Sequence, residues 1–99
     1  MSDKKTDANF GGTLDALMVS QSDNVAVCLH DIEPGTEASV RLGKENFAVI
    51  AVDSIPRGHK LALGEITQGE NIVKYGEVIG KASANIGKGH HVHVHNVVD

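Results

Sequence analysis

A small, mostly β domain with short strands and little helix is what this sequence predicts. Three observations lead there. Apolar residues come in short runs, glycine or another turn former separates the runs, and the segment nearest the C-terminus, Gly87 to Asn96, alternates histidine with valine. Alternation is the period of a strand, and short runs punctuated by turn residues are the pattern of a compact sheet. At 99 residues the chain holds one domain with a modest core.

In order along the chain, Met1 to Gly12 is polar, without period and ends in glycine, so it reads as a flexible leader ahead of a domain over 13–99. Thr13 to Val19 suits a turn or two of helix or an entering strand. The expected strands then fall on Val25–Leu29, Ala38–Leu42, Phe47–Val52, Lys60–Leu63, Asn71–Lys74, Val78–Ala84 and Val92–Val97. Four copies of Ile-x-x-Gly begin at Ile32, Ile55, Ile66 and Ile86, each glycine placed to take a positive φ before the next run. Their glycines are 23, 11 and 20 residues apart, so the pattern is one turn chemistry reused and not a solenoid repeat.

Composition removes several functions. With Phe10, Phe47 and Tyr75 as its whole aromatic set and a net charge of -4, the chain lacks both the stacking platform and the basic surface of a nucleic-acid binder. No segment approaches the ~20 apolar residues of a membrane span. The lone Cys28 lies in the apolar run Val25–Leu29, reads as a buried thiol and permits no internal disulfide, so a cytoplasmic location is expected. Gly76-Glu77-Val78-Ile79-Gly80-Lys81 is one residue too short between its glycines for a phosphate loop, and Ala82 stands where a metal-binding hydroxyl would be. The carboxylates are scattered near turns and read as solvated charges.

What remains is histidine. His90, His91, His93 and His95 lie within six residues, and the interruption by Val92 and Val94 rules out an expression tag. On an extended strand His91, His93 and His95 share a face, with roughly 6.6 Å between neighbours and about 13 Å between the outer two. At most two of them can then reach one ion at the ~2.0 to 2.1 Å of a metal–nitrogen bond, unless the strand bends sharply. A metal site, a substrate contact and a polar strand face all fit. Upstream, Ile55-Pro56-Arg57-Gly58-His59-Lys60 is a turn that can wall a pocket for a carboxylate, sulfonate or phosphate, with Arg57 or Lys60 supplying charge and His59 moving a proton.

These stretches, Ile55 to Leu63, Ile72 to Gly80 and His91 to Asn96, together with Asp23 to Val27, resemble the small domain of the altronate and galactarate dehydratase family, a β-clip module of the SAF type. The resemblance implies one half of an active site. In such enzymes the small module is the N-terminal domain of a long dehydratase or a separate small subunit, as in sulfolactate sulfo-lyases, and a large catalytic chain carries most of the apparatus. Because the sequence stops three residues after His95-Asn96, the separate subunit or a fragment cut at a domain boundary is expected.

The implied reaction removes the proton beside a carboxylate and expels water or sulfite from the β carbon, giving a 2-keto acid from a small acidic substrate such as altronate, galactarate or sulfolactate. Iron(II) or another divalent metal is the implied cofactor. By residue, the resemblance puts His59, His93 and His95 in catalytic roles, Arg57 and Lys60 on the substrate, and His93 and His95 on the metal. Tyr75 and Gly76 shape a corner. His90 stands where the family motif has an acid, which points to an exposed, nonessential role. A stand-alone ligand-binding module and a metal-binding or self-associating protein are the other readings the pattern admits.

Overall fold

The computed structural model describes residues 14–99; the leader expected over 1–12 lies outside the described residues. Among the described residues the chain is built of strands: β1 (Ala16–Met18), β2 (Val25–Cys28), β3 (Glu37–Leu42), β4 (Glu45–Ile50), β5 (Lys60–Ala62), β6 (Asn71–Lys74), β7 (Glu77–Ala82), β8 (His91–Val92) and β9 (Val97–Val98). They form a six-stranded sheet of order β4-β3-β1-β2-β5-β8 and a three-stranded sheet of order β9-β7-β6. Every pairing is antiparallel except β1 with β3. The mostly β expectation holds, and of the segment left open between helix and strand the described residues form the strand β1 over Ala16–Met18.

The four Ile-x-x-Gly copies organise the molecule in pairs. Ile32 and Ile55 exchange backbone hydrogen bonds at 2.8 and 2.9 Å, and Ile66 and Ile86 do the same at 2.8 Å each. All four side chains are buried, and each pair anchors its own apolar cluster. Ile32 and Ile55 pack with Val40, Val49 and Leu61, whereas Ile66 and Ile86 pack with Val25, Ile72 and Val92. Burying an Ile side chain contributes about 1.5–3 kcal/mol, so each bridge gathers a core around two large contributors. The four glycines lie at φ 84 to 91°, as the turn chemistry requires.

The residue before one isoleucine secures the turn after its partner. Asp31 Oδ1 accepts the Arg57 N–H and Asn85 Oδ1 accepts the Gln68 N–H, both at 2.8 Å. The chain is thus two similar half-domains. The strands that follow their closing glycines, β5 after Gly58 and β8 after Gly89, pair with each other through Lys60↔Val92 and Leu61↔His91. This seam positions the histidines.

Three carboxylates depart from the expectation of solvated charge. Asp23, the buried one, accepts the N–H groups of Val19, Ser20 and Gly76 and so ties the β1–β2 loop to the β6–β7 turn. Burial pushes its pKa up, but the backbone donors outweigh that and hold it below the usual value. Asp15 accepts the Ser39 N–H and faces His30, and Asp53 serves the site described next. Gly76, Ser39 and His91, the distant partners of Asp23, Asp15 and Asp53, carry no local pattern that would mark these carboxylates.

Candidate active site

The strand expected over Val92–Val97 is broken. Strand β8 ends at Val92, residues 93–96 form a turn, and β9 begins at Val97. Asn96 makes the break. Its Oδ1 accepts the His93 N–H at 3.0 Å, its Nδ2 donates to the His91 carbonyl at 2.9 Å, and its own N–H donates to the His93 carbonyl at 3.0 Å. A side chain that offers both a donor and an acceptor competes with the sheet ladder for the backbone, and here it wins. The spacing of a straight strand therefore does not apply, and the rings of His91 and His95 come within 4.9 Å, centroid to centroid.

Across the seam, His59 follows Gly58 towards β5 and meets His91 of β8 and His93 just beyond it. His59 Nδ1 and His91 Nε2 are 2.8 Å apart, and the His59 ring stacks on that of His93 with centroids 3.5 Å apart and planes 11° from parallel. One ligand atom from each of His59, His91 and His93 lies within 4.8 Å of the others, a grouping close enough that the three could hold one ion. His93 Nδ1 is buried and has no hydrogen-bond partner in the described chain. A buried polar atom without a partner is costly, and an imidazole nitrogen in that condition is a ligand atom in waiting.

Electrostatics favour the same use. Burial lowers the pKa of His91, reinforced by His95, His59 and His93. Burial also lowers that of His93, reinforced by His59, Lys60 and His95. Both rings are accordingly neutral at neutral pH, the form that offers a lone pair to a metal. Lys60, at the head of β5, is itself shifted down by burial and by Lys74.

Of the residues singled out in the sequence, His59 and His93 belong to the converging set, His95 packs against His91 at its edge, and Lys60 lies close enough to depress His93. Arg57 is exposed and is fixed through its backbone to Asp31. His91 completes the set, a neighbouring pair with His93 of the kind that the strand spacing allowed, while His95 stays outside it. Two further residues escaped the sequence. Asn96 shapes the turn, and Asp53 Oδ2 accepts both the His91 N–H at 2.9 Å and the His90 ring at Nδ1, 3.0 Å away. His90 is therefore half-buried and anchored, not free. Asn was readable as a turn former; Asp53 carried no signal, because its partners are 37 and 38 residues away.

The described residues define a small all-β domain with three imidazoles gathered at the seam of two half-domains, a grouping that could hold an ion. The match of residues 14–99 to the model for the altronate/galactarate dehydratase SAF domain makes the assignment specific: the chain belongs to that family. It is 50% identical over 74 residues to altronate dehydratase of Escherichia coli, covering 75% of this chain and 14% of that one. It is 42% identical over 80 residues to altronate dehydratase of Bacillus subtilis, covering 81% and 15%. A 45-residue segment, 46% of this chain, is 49% identical to 48% of the (2R)-sulfolactate sulfo-lyase subunit alpha of Chromohalobacter salexigens. The chain thus spans about a seventh of the two dehydratases it matches.

The donor set fits a divalent transition metal of the kind the family resemblance implies. Three neutral imidazoles suit iron(II) or zinc, and nitrogens about 2.1 Å from one ion at right angles would be about 3 Å apart, close to the His59–His91 separation. Three donors also leave positions open for substrate.

Proposed function

We propose that this chain is the small module, subunit or domain, of a lyase that eliminates water or sulfite from a sugar acid or sulfonated hydroxy acid to give a 2-keto acid. A large catalytic body completes the site, and the isolated chain is inactive. The observation that carries the reading is the convergence of His59, His91 and His93 within 4.8 Å on the seam. The names of the relatives, two dehydratases and a sulfo-lyase subunit, supply the reaction class. The buried, unpaired thiol of Cys28 suits a reducing cytoplasmic setting.

In this reading His59, His91 and His93 hold a divalent ion, iron(II) being the expected one, which as a Lewis acid would stabilise negative charge on substrate oxygen. His95, exposed at the edge of the cluster, moves the proton at the carbon beside the carboxylate. The C–H electron pair forms the double bond as the β substituent leaves with its own pair, and the enol becomes the 2-keto acid. Lys60, half-buried beside His93, supplies the cation for the carboxylate, and Arg57 steers the acid from the rim.

The site lies on a surface where Val94, 79% exposed, projects from the histidine turn, an apolar contact for the large body to cover. Reconstitution with a large dehydratase-type chain, followed by trapping of the 2-keto acid, tests the proposal. Product is expected only when both chains are present. Full activity of the large chain alone would remove the subunit role.

A further inference from the structure

Beside the histidine cluster is a pocket of about 200 Å³. Asp53, Asn85, Gly87, His90, His91 and His95 line it, so it shares His91 with the converging set. The pocket has room for several hydroxyl-sized groups. Gly87 lets the His90 ring lie against the backbone at the pocket wall, since a Cβ there would sit 2.9 Å from His90 Cδ2.

The polar groups are arranged for hydroxyls. Asp53 Oδ2 is taken by His90 and by the His91 N–H, while Oδ1 accepts nothing from the described residues. Asn85 Oδ1 is taken by the Gln68 N–H, leaving the amide Nδ2 to donate. Among the described residues no Lys or Arg lines this pocket. A second pocket of about 330 Å³ against the same Asn85–Gly87 segment adds Glu65 and Thr67 and again no cation. The cations near the cluster, Lys60 and Lys74, stand on β5 and β6 instead. An acid group entering beside Asp53 would meet a carboxylate with no Lys or Arg of the lining to offset it, whereas a hydroxyl would find both an acceptor and a donor.

We propose that this pocket takes the uncharged hydroxyls of a monocarboxylic sugar acid and that Asp53 excludes a second acid group, which makes it a specificity-determining residue against dicarboxylic and sulfonated substrates. The inference rests on the lyase reading above and narrows its substrate class. It also gives His90, bound to Asp53, a place in recognition.

The test is titration of the ¹⁵N-labelled chain with a six-carbon aldonate and with a six-carbon aldarate, read at the amides of Asn85 and Gly87. The aldonate is expected to half-saturate the shifts at a concentration at least roughly tenfold lower than the aldarate. Asp53→Asn should shrink that ratio by about fivefold or more, and Asn85→Asp, which keeps an acceptor for the Gln68 N–H and adds a charge, should widen it. A ratio untouched by both substitutions, an aldarate that binds as well as the aldonate, or no shift at either amide overturns the proposal. Selective binding without elimination in the reconstituted enzyme would leave this pocket's chemistry standing and remove the lyase reading. Elimination without selectivity would do the reverse.

Discussion

His93 illustrates how much depends on single atoms. Its Nδ1 is buried without a partner, and its ring stacks on the face of His59 within reach of the charge of Lys60. A divalent ion would give that nitrogen the partner it lacks. Uptake of cobalt(II), followed by its visible absorption, should give one ion per chain. Affinity should fall at least about tenfold in His59→Ala, His91→Ala and His93→Ala, and be nearly unchanged in His90→Ala. Equal loss in all four would mean that Asp53 and His90 belong to the ion's site.

His30 offers a test of opposite sign. Its Nε2 faces Asp15 Oδ1 at 2.7 Å and its Nδ1 faces the Asp31 carbonyl at 2.8 Å, so only the doubly protonated ring satisfies both. The Asp31 carbonyl, then Asp15, raise its pKa above the ordinary 6.5. A raised pKa stabilises the fold fully below pH 6.5, and the contribution disappears as pH climbs through the folded value. The gap in Tm between the wild type and His30→Gln should therefore be widest below pH 6.5 and close above it; a gap independent of pH contradicts the ion pair.

At the scale of elements, the strands were largely legible because apolar runs and glycines mark them directly. The corner at Tyr75-Gly76 was legible too. It is a two-residue hairpin loop with φ 55° and 81°, in which Tyr75 holds a left-handed conformation that Asn or Gly adopts at lower cost. The C-terminal strand was not legible, since alternation of His and Val says nothing of the side chain at Asn96 that folds the strand back. Turn glycines also differ in ways a sequence hides. Gly35 and Gly89 have φ 87° and 86°, but a Cβ at Gly35 meets nothing within 4 Å, whereas one at Gly89 would collide with the Ile50 carbonyl. Urea unfolding should show Gly35→Ala costing about 1 kcal/mol and Gly89→Ala more than about 3 kcal/mol. Equal costs would mean that the close approach at Gly89 is absent.

For the molecule as a whole, the site exists because two half-domains meet. His59 belongs to one and His91 and His93 to the other, 32 residues apart for the pair at 2.8 Å. The family resemblance put His59 and His93 in one site, but the residues alone do not show how they meet, because pairing of β5 with β8 is a long-range event with no local signature. Anything that loosens the seam should loosen the site. Leu61, fully buried and paired with His91, is a lever: Leu61→Ala should cost about 2–5 kcal/mol and weaken metal uptake along with stability.

Covering of the site by a second body predicts that Val94→Asp weakens association with the large chain by about tenfold or more in a pull-down titration, with the Tm of this chain unchanged. The most direct test of the central claim is the rate of 2-keto acid formation by the reconstituted enzyme with the wild-type chain and with His93→Ala, both shown to assemble with the large chain. A loss of about 100-fold or more is expected. A rate within about twofold of wild type would contradict a catalytic half-site on this chain.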